Sequence, residues 1–260
     1  MRTRSTHGGR HELGQNFLVH RPTIRTLVDL VDGTEGPILE IGPGDGALTA
    51  PLARLGRDLR AVEIDEHRAR RLRERLPGVE IRTADALRAA LDRPVVVGNL
   101  PFHLTTPLLR RLLGTGGWRD AVLLTQWEVA RKRAGVGGAT MMTAQAAPWF
   151  AFALHGRVPR HAFRPLPAVD GGILTIARRP VPLVPASDRR AYEAFVRRAF
   201  TDPGADLRRV LHRGSGASAQ RISRAFDTAG IDRRARARDL GAEQWALLWR
   251  SLGRPETGQW

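Results

Sequence analysis

Between residues 37 and 179 the chain carries seven short apolar runs: "PILEIG" (37–42), "LRAVEID" (59–65), "VEIRTA" (79–84), "PVVVGNL" (94–100), "DAVLLTQ" (120–126), "FAFALHG" (150–156) and "GGILTIARR" (171–179). Segments of helical length, such as 66–76 and 105–113, lie between them. Strands that alternate with helices are joined by crossovers, and crossovers build a wound α/β sheet. "RRPVPLVPASD" (178–188) then places three prolines in eleven residues, which breaks regular structure and reads as a linker. Beyond it the periodicity is helical: Tyr192, Phe195, Val196, Ala199 and Phe200 share one face, as do Trp245, Leu248, Trp249 and Leu252. The sequence therefore predicts a basic arm over 1–12, an α/β domain over 13–180 and a small all-helical domain over 187–255. The apolar stretch "MMTAQAAPWFAFAL" (141–154) is too short to span a bilayer and reads as core.

Charge bounds the partner. The 260 residues carry a formal net charge of +16, and Lys132 is the only lysine. A codon preference would exchange lysine for arginine but would not unbalance bases against acids. The excess points to a polyanion, with nucleic acid the default. There is no cysteine, so disulfides, a thiolate nucleophile and Cys-ligated zinc are excluded. "MRTRSTHGGRHELGQNFL" has no apolar run of the kind a secretory signal needs, and a cytoplasmic protein without a membrane segment is expected. No HExxH or nucleophile elbow occurs, so neither a metal site nor hydrolase chemistry is expected.

"ILEIGPGDGALT" sets Gly42, Gly44 and Gly46 directly after the first apolar run and before a helix. The spacing is neither the G-x-G-x-x-G of a dinucleotide loop nor a phosphate loop with Lys and Ser or Thr. Glu40 and Asp45 would repel a pyrophosphate, which favours a cofactor with an amino group and a positive centre. Glu63, 21 residues beyond Gly42, is spaced to hold ribose hydroxyls, and Asp85 to accept from an adenine amine. Singly, a glycine turn is often only a turn, Glu63 a surface acid before a helix and Asp85 an N-cap. In register at the ends of successive strands, the three describe S-adenosylmethionine better than NAD.

"VVVGNLPF" ends the fourth run on an amide, a rigid Pro and an aromatic ring. The exocyclic nitrogen of adenine is a poor nucleophile because its lone pair is delocalised into the ring. Acceptors that draw its two hydrogens out of plane free that lone pair. The Asn99 amide oxygen and the Leu100 carbonyl suffice, Pro101 stiffens the turn, and Phe102 can stack on the base. No strong base is needed, since the amine becomes acidic once alkylated, and His103 reads as structural or RNA-facing. Separately, Asn99 is also a common turn amide and Phe102 a common core ring.

"GQNFL" (14–18), "EIGPGDG" (40–46), "VEID" (62–65), "ADAL" (84–87) and "NLPF" (99–102), with "FRPLPAVDGGIL" (163–174) and the helical C-terminus, resemble the rRNA adenine dimethyltransferases in order and over nearly the whole chain. The resemblance implies a class I S-adenosylmethionine-dependent methyltransferase fold: a Rossmann-like, mostly parallel seven-stranded sheet with a small helical C-terminal domain. It places Asn16, the backbone around Leu18, Gly42, Gly44, Glu63, Asp85 and Asn99 at the cofactor. It makes Asn99, Leu100, Pro101 and Phe102 catalytic, with Phe102 and Phe163 sandwiching a target base swung out of its stack. Phe163 could equally be a core ring packed by Pro165. Two branches compete, the KsgA type acting on small-subunit rRNA and the Erm (erythromycin-resistance) type acting on 23S rRNA. "NLPFHLTTPLLRRLL" and "LLTQWEVARKRAG" look like the actinobacterial Erm enzymes, which implies 23S rRNA, before full assembly of the large subunit, as partner of a monomeric enzyme. Arg2, Arg4 and Arg10, "RRLL" with Arg110 and Arg111, "ARKRAG" with Arg131, Lys132 and Arg133, and "RRARAR" (233–238) are candidate phosphate contacts, and "ARKRAG" stands first among them.

Overall fold

The computed structural model of the chain describes residues 16–201 and 206–253. The expected basic arm, with Arg2, Arg4 and Arg10, lies outside the described residues. In chain order the strands are β1 (Phe17–Leu18), β2 (Ile38–Ile41), β3 (Leu59–Glu63), β4 (Glu80–Thr83), β5 (Val95–Asn99), β6 (Asp120–Gln126), β7 (Phe150–Val158), β8 (Phe163–Arg164) and β9 (Gly171–Arg178). Helices α1 (Arg21–Asp32), α2 (Thr49–Ala53), α3 (Glu66–Arg75), α4 (Thr105–Gly114) and α5 (Trp127–Arg133) follow β1, β2, β3, β5 and β6 in turn. The remainder are α6 (Met141–Ala146), α7 (Arg189–Thr201), α8 (Leu207–Ser215), α9 (Ala219–Thr228) and α10 (Ala242–Leu248).

Seven strands form one sheet in the order β4-β3-β2-β5-β6-β9-β7, and the five from β4 to β6 pair in parallel. All seven match the apolar runs of the sequence to within two residues at either end. Every residue of β2 is buried, as are the first four of β5 and the middle five of β6. Burial on both faces is why these strands read as continuous β-branched runs. Strands β1 and β8 form a separate antiparallel ribbon with Leu18 opposite Phe163. Two residues carry no periodicity, and the sequence gives no sign of it.

The chain divides into two compact units: residues up to 130 with Leu154–Thr175, and Arg131–Ala153 with residues from 176 onward. The core of the first includes Leu27 and Val31 of α1, Leu52 of α2, Leu72 of α3 and Val95 and Val97 of β5. The second contains α6 to α10, and so takes in 131–153 besides the expected 187–255. Its centre is aromatic: Trp149 and Trp249 meet Tyr192 edge-on at 5.4 and 5.9 Å, and the Tyr192 hydroxyl donates to the Ala144 carbonyl at 2.9 Å. The 141–154 stretch is not core throughout. It splits into α6 and the start of β7; Met141 at the start of α6 is exposed, and Ala151 and Ala153 face solvent because the pleat of β7 turns alternate residues outward.

Many arginines serve the fold. Arg57 donates to the carbonyls of Val31, Thr34 and Gly36, closing the turn after α1. Buried Arg93 pairs with Asp58 at 2.7 Å and Glu80 at 3.2 Å and donates to the Asp58 carbonyl. Its carboxylate partners are partly exposed, so water recovers part of what they lose. Arg93→Ala should lower stability by about 2 kcal/mol, read from the urea midpoint at unchanged m-value; a loss below about 0.5 kcal/mol would show that water replaces these bonds in full.

Candidate active site

From β2 the chain winds through β3 and β4 to one side of the sheet, then returns to lay β5 and β6 on the other. At such a reversal the crossovers diverge and a crevice opens beyond the carboxyl ends of the central strands. Glu40 pairs with Val97, which sets Gly42 beside Asn99; a Cβ on Gly42 would stand 4.0 Å from the Asn99 carbonyl oxygen. The approach is tight one residue earlier, where a Cβ on Gly98 would lie 2.5 Å from the Ile41 carbonyl oxygen. The loop itself needs glycine at Gly44, where φ is +55° and a Cβ would strike the Phe17 ring at 2.9 Å. Phe17 is in turn covered by the Arg68 guanidinium, 4.2 Å from its centroid.

Asn16, Phe17, Gly42, Gly44, Glu63 and Asn99 surround one recess, with Pro101 at its edge. It shares Phe17, Gly42 and Asn99 with a cleft of about 810 Å³ that runs between α1 and the glycine loop, so the two are one hollow. Glu63 is buried, and its two carboxylate oxygens accept from the Gly44 N–H at 2.9 Å and the Asp65 N–H at 3.0 Å. Each oxygen keeps a further lone pair. Asn99 donates its amide nitrogen to the Asn16 carbonyl at 2.7 Å, which leaves its Oδ1 as the open acceptor. Glu40 lines the cleft, fully buried, with an Oε2 that has no hydrogen-bond partner. Burial first, and the neighbouring Glu63 second, push its carboxyl up to about 8.

The other expected site residues are distributed around this hollow. Leu18 is buried, lines the cleft and is held by the ribbon with β8. Asp85 lies past β4, accepts from the Leu87 N–H at 2.8 Å, and is not among the residues lining the recess. The Leu100 side chain is buried and its N–H donates to the Leu124 carbonyl. Phe102 is half-buried, whereas Phe163 has no exposed surface and meets Phe102 edge-on at 6.1 Å. Gly171 makes room for the Phe163 ring, since a Cβ there would come within 3.0 Å of it. Arg111 is committed to the Ala86 and Ala89 carbonyls, Arg133 to the Thr140 hydroxyl and Arg131 to the Val136 carbonyl; Arg110 and Lys132 are exposed. Phe17 and Gly98 were not singled out from the sequence, although Phe17 stands inside "GQNFL". Among the described residues no group of three or more His, Asp and Glu is placed to hold a metal ion.

Residues 6–253 match the family model for ribosomal RNA adenine dimethylases. The chain belongs to that family. It is 53% identical over 209 residues to an rRNA adenine N-6-methyltransferase of Corynebacterium diphtheriae, covering 79% of this chain and 83% of the relative. Over 247 residues it is 45% identical to the mycinamicin-resistance protein MyrB of Micromonospora griseorubida, covering 94% and 79%. The crystal structure of the 23S rRNA methyltransferase ErmE superposes with a TM-score of 0.82 at 33% identity, over 92% of this chain and all of that one. The class I methyltransferase fold implied by the motifs is therefore the fold of this dimethylase-family chain.

Such a fold implies a sulfonium methyl donor, and the hollow fits one. Glu63, held by two backbone N–H groups and with a lone pair to spare on each oxygen, suits a diol. Glu40 offers an unpartnered buried oxygen to a cationic group, and neither carboxyl would tolerate a phosphate. The folded state retains the Glu40 proton up to about pH 8, whereas the unfolded chain releases it near 4.5. Stability of the ligand-free protein should therefore fall as pH rises through that window, by up to about 1.4 kcal/mol per pH unit. Glu40→Gln should flatten the dependence; equal slopes for both proteins in urea titrations at several pH values would contradict a protonated Glu40.

Proposed function

We propose that this chain methylates the N6 amine of one adenine in the peptidyl-transferase region of 23S rRNA with S-adenosylmethionine as donor, giving macrolide-lincosamide-streptogramin B resistance. It acts as a cytoplasmic monomer, before full assembly of the large subunit, while the base can still be swung out of its stack. The observation that carries the reading is the orientation of Asn99. Its amide nitrogen is spent on the Asn16 carbonyl, which leaves its oxygen as the acceptor open to an incoming amine. The names of the relatives and of the ErmE structure support 23S rRNA and drug resistance as the setting.

S-adenosylmethionine, when bound, would supply a methyl carbon on a sulfonium, the S–C bond breaking to leave S-adenosylhomocysteine as the N–C bond forms and the acidified amine proton passing to water. Asn99 Oδ1 and the Leu100 carbonyl accept the two amine hydrogens and turn the nitrogen lone pair out of the ring plane. Pro101, at φ −54°, fixes the turn that follows them. Phe102 offers its half-exposed ring to the base, and Phe163 supports that ring from behind and must be uncovered if it is to form the second side of a sandwich. Asn16, Gly42, Gly44 and Glu63 hold the donor, Leu18 positions Asn16 through the β1–β8 ribbon, and Asp85 takes the adenine amine of the donor. Exposed Arg110 and Lys132, together with Arg131 and Arg133, supply phosphate contacts, and Arg111 braces the 86–89 segment.

Transfer of labelled methyl to naked 23S rRNA, followed by mapping of reverse-transcription stops, should give one modified adenine; label confined to small-subunit rRNA would overturn the 23S assignment. Asn99→Ala should lower transfer by on the order of a hundredfold or more while the protein still gains thermal stability on adding donor. Undiminished transfer would remove Asn99 from the chemistry.

A further inference from the structure

A second cleft, of about 430 Å³, opens at the carboxyl end of β6, within the range of about 300–1,000 Å³ that ligand pockets occupy. Its position follows from the site already described. Leu124 of β6 pairs with Asn99 of β5. The Leu124 side chain lies with the Phe163 ring around the space that Gly171 leaves open. Strand periodicity puts Gln126 on the same face as Leu124, one step further out. Gln126, Trp127, Arg157, Arg160 and Val169 line the cleft together with two acids, Glu128 and Asp170.

The walls are held in place. Asp170 accepts from the Arg157 Nε at 2.7 Å and from the Arg160 N–H at 2.8 Å, and the Trp127 N–H donates to the Asp170 carbonyl at 2.9 Å. Arg157 is thereby fixed over the Trp127 ring, 5.5 Å from its centroid. Gly172 admits that ring, since a Cβ there would lie 3.2 Å from its Cε3. What is left uncommitted has a distinct chemistry. Among the described residues the Gln126 amide has no hydrogen-bond partner, and the Arg160 guanidinium has no hydrogen bond and no ion pair within 4 Å, its charge acting on Asp170 from further away. Val169 is 45% exposed and supplies an apolar wall. A planar Trp–Arg pair, a free amide with both donor and acceptor, and a free guanidinium match a nucleobase joined to a phosphodiester.

We propose that this cleft holds the nucleotide adjoining the target adenine, with Gln126 reading the edge of its base and Arg160 its phosphate. The proposal rests on the adenine-methylating reading above and makes Gln126 a specificity-determining residue. It explains how the enzyme fixes the register of a strand whose target base has been drawn out. The flanking nucleotide stays gripped one step along the sheet.

The test uses an RNA hairpin carrying the target adenine, with each flanking base replaced in turn by the other three and by an abasic sugar. At one flank, loss of the base should lower kcat/KM of the unaltered enzyme about tenfold. The same loss should cost Gln126→Ala less than about threefold, because the reader is already gone. Arg160→Ala should raise KM for RNA by about three- to tenfold and make the salt slope shallower by about one, with kcat and donor affinity unchanged. Equal abasic losses with and without Gln126 at both flanks, or an unchanged KM in Arg160→Ala, would overturn the proposal. If the unaltered enzyme methylates no adenine in the hairpin or in 23S rRNA, the activity assignment falls first, and this subsite with it.

Discussion

The reversal of strand order between β2 and β5 sets the position of every reactive group. A chain that wound in one direction only would carry the glycine loop and the Asn99 turn away from each other, each under its own crossover. Because β5 returns to pair with the far side of β2, Gly42 and Asn99 end on adjacent strands in register, and the crossovers leave the space above them open. The price is steric: two strand ends and a loop converge, and only a residue without a side chain fits at Gly98, against the Ile41 carbonyl. The glycine loop and the Asn99 turn are thus brought together by topology before any side chain acts.

Electrostatics then selects what enters. The two buried carboxyls of the site are treated in opposite ways. Glu63 is given two backbone N–H groups, whereas Glu40 has an oxygen with no partner and holds its proton. Arg21, Arg25, Arg54 and Arg75 line the wider cleft, but a phosphate set between Glu40 and Glu63 would meet two acidic groups. A cationic ligand would meet the reverse, since ionising Glu40 would strengthen its hold. That asymmetry makes the glycine loop a seat for a sulfonium donor, and it resides in the acids around the loop more than in the glycines.

The sheet was legible because its strands are buried on both faces, so sequence alone shows them as apolar runs punctuated by Gly, Pro and Asp. The site was legible where chemistry is local: a glycine loop after a strand, an acid at the end of the next, an amide before a rigid turn. Features made by contact between distant segments were not. The β1–β8 ribbon, two residues a side, connects Asn16 to the 162–164 region through pairing with no pattern of its own. Phe163 reads equally as a stacking ring or a core ring until Gly171 is seen to admit it to the interior. The 131–153 segment follows the sheet in sequence but packs with the aromatic core around Tyr192, through contacts some fifty residues away.

Arginine shows the limit of reading function from charge. The net charge of +16 is a property of the whole chain, and as a long-range field it draws in a polyanion whatever each side chain does locally. Positioning that polyanion is another matter. Arg57, Arg93 and Arg111 are occupied by carbonyls and carboxylates of their own fold, because a planar fork of five donors satisfies chain turns as readily as it satisfies phosphate. Such residues add to the attraction but cannot turn toward RNA without undoing the turns they close. The register of the substrate must instead be set by guanidiniums that no hydrogen bond holds, and under the proposal above Arg160 is one of these. An arginine-rich chain can therefore carry a strong general pull on RNA and still fix its target through very few contacts.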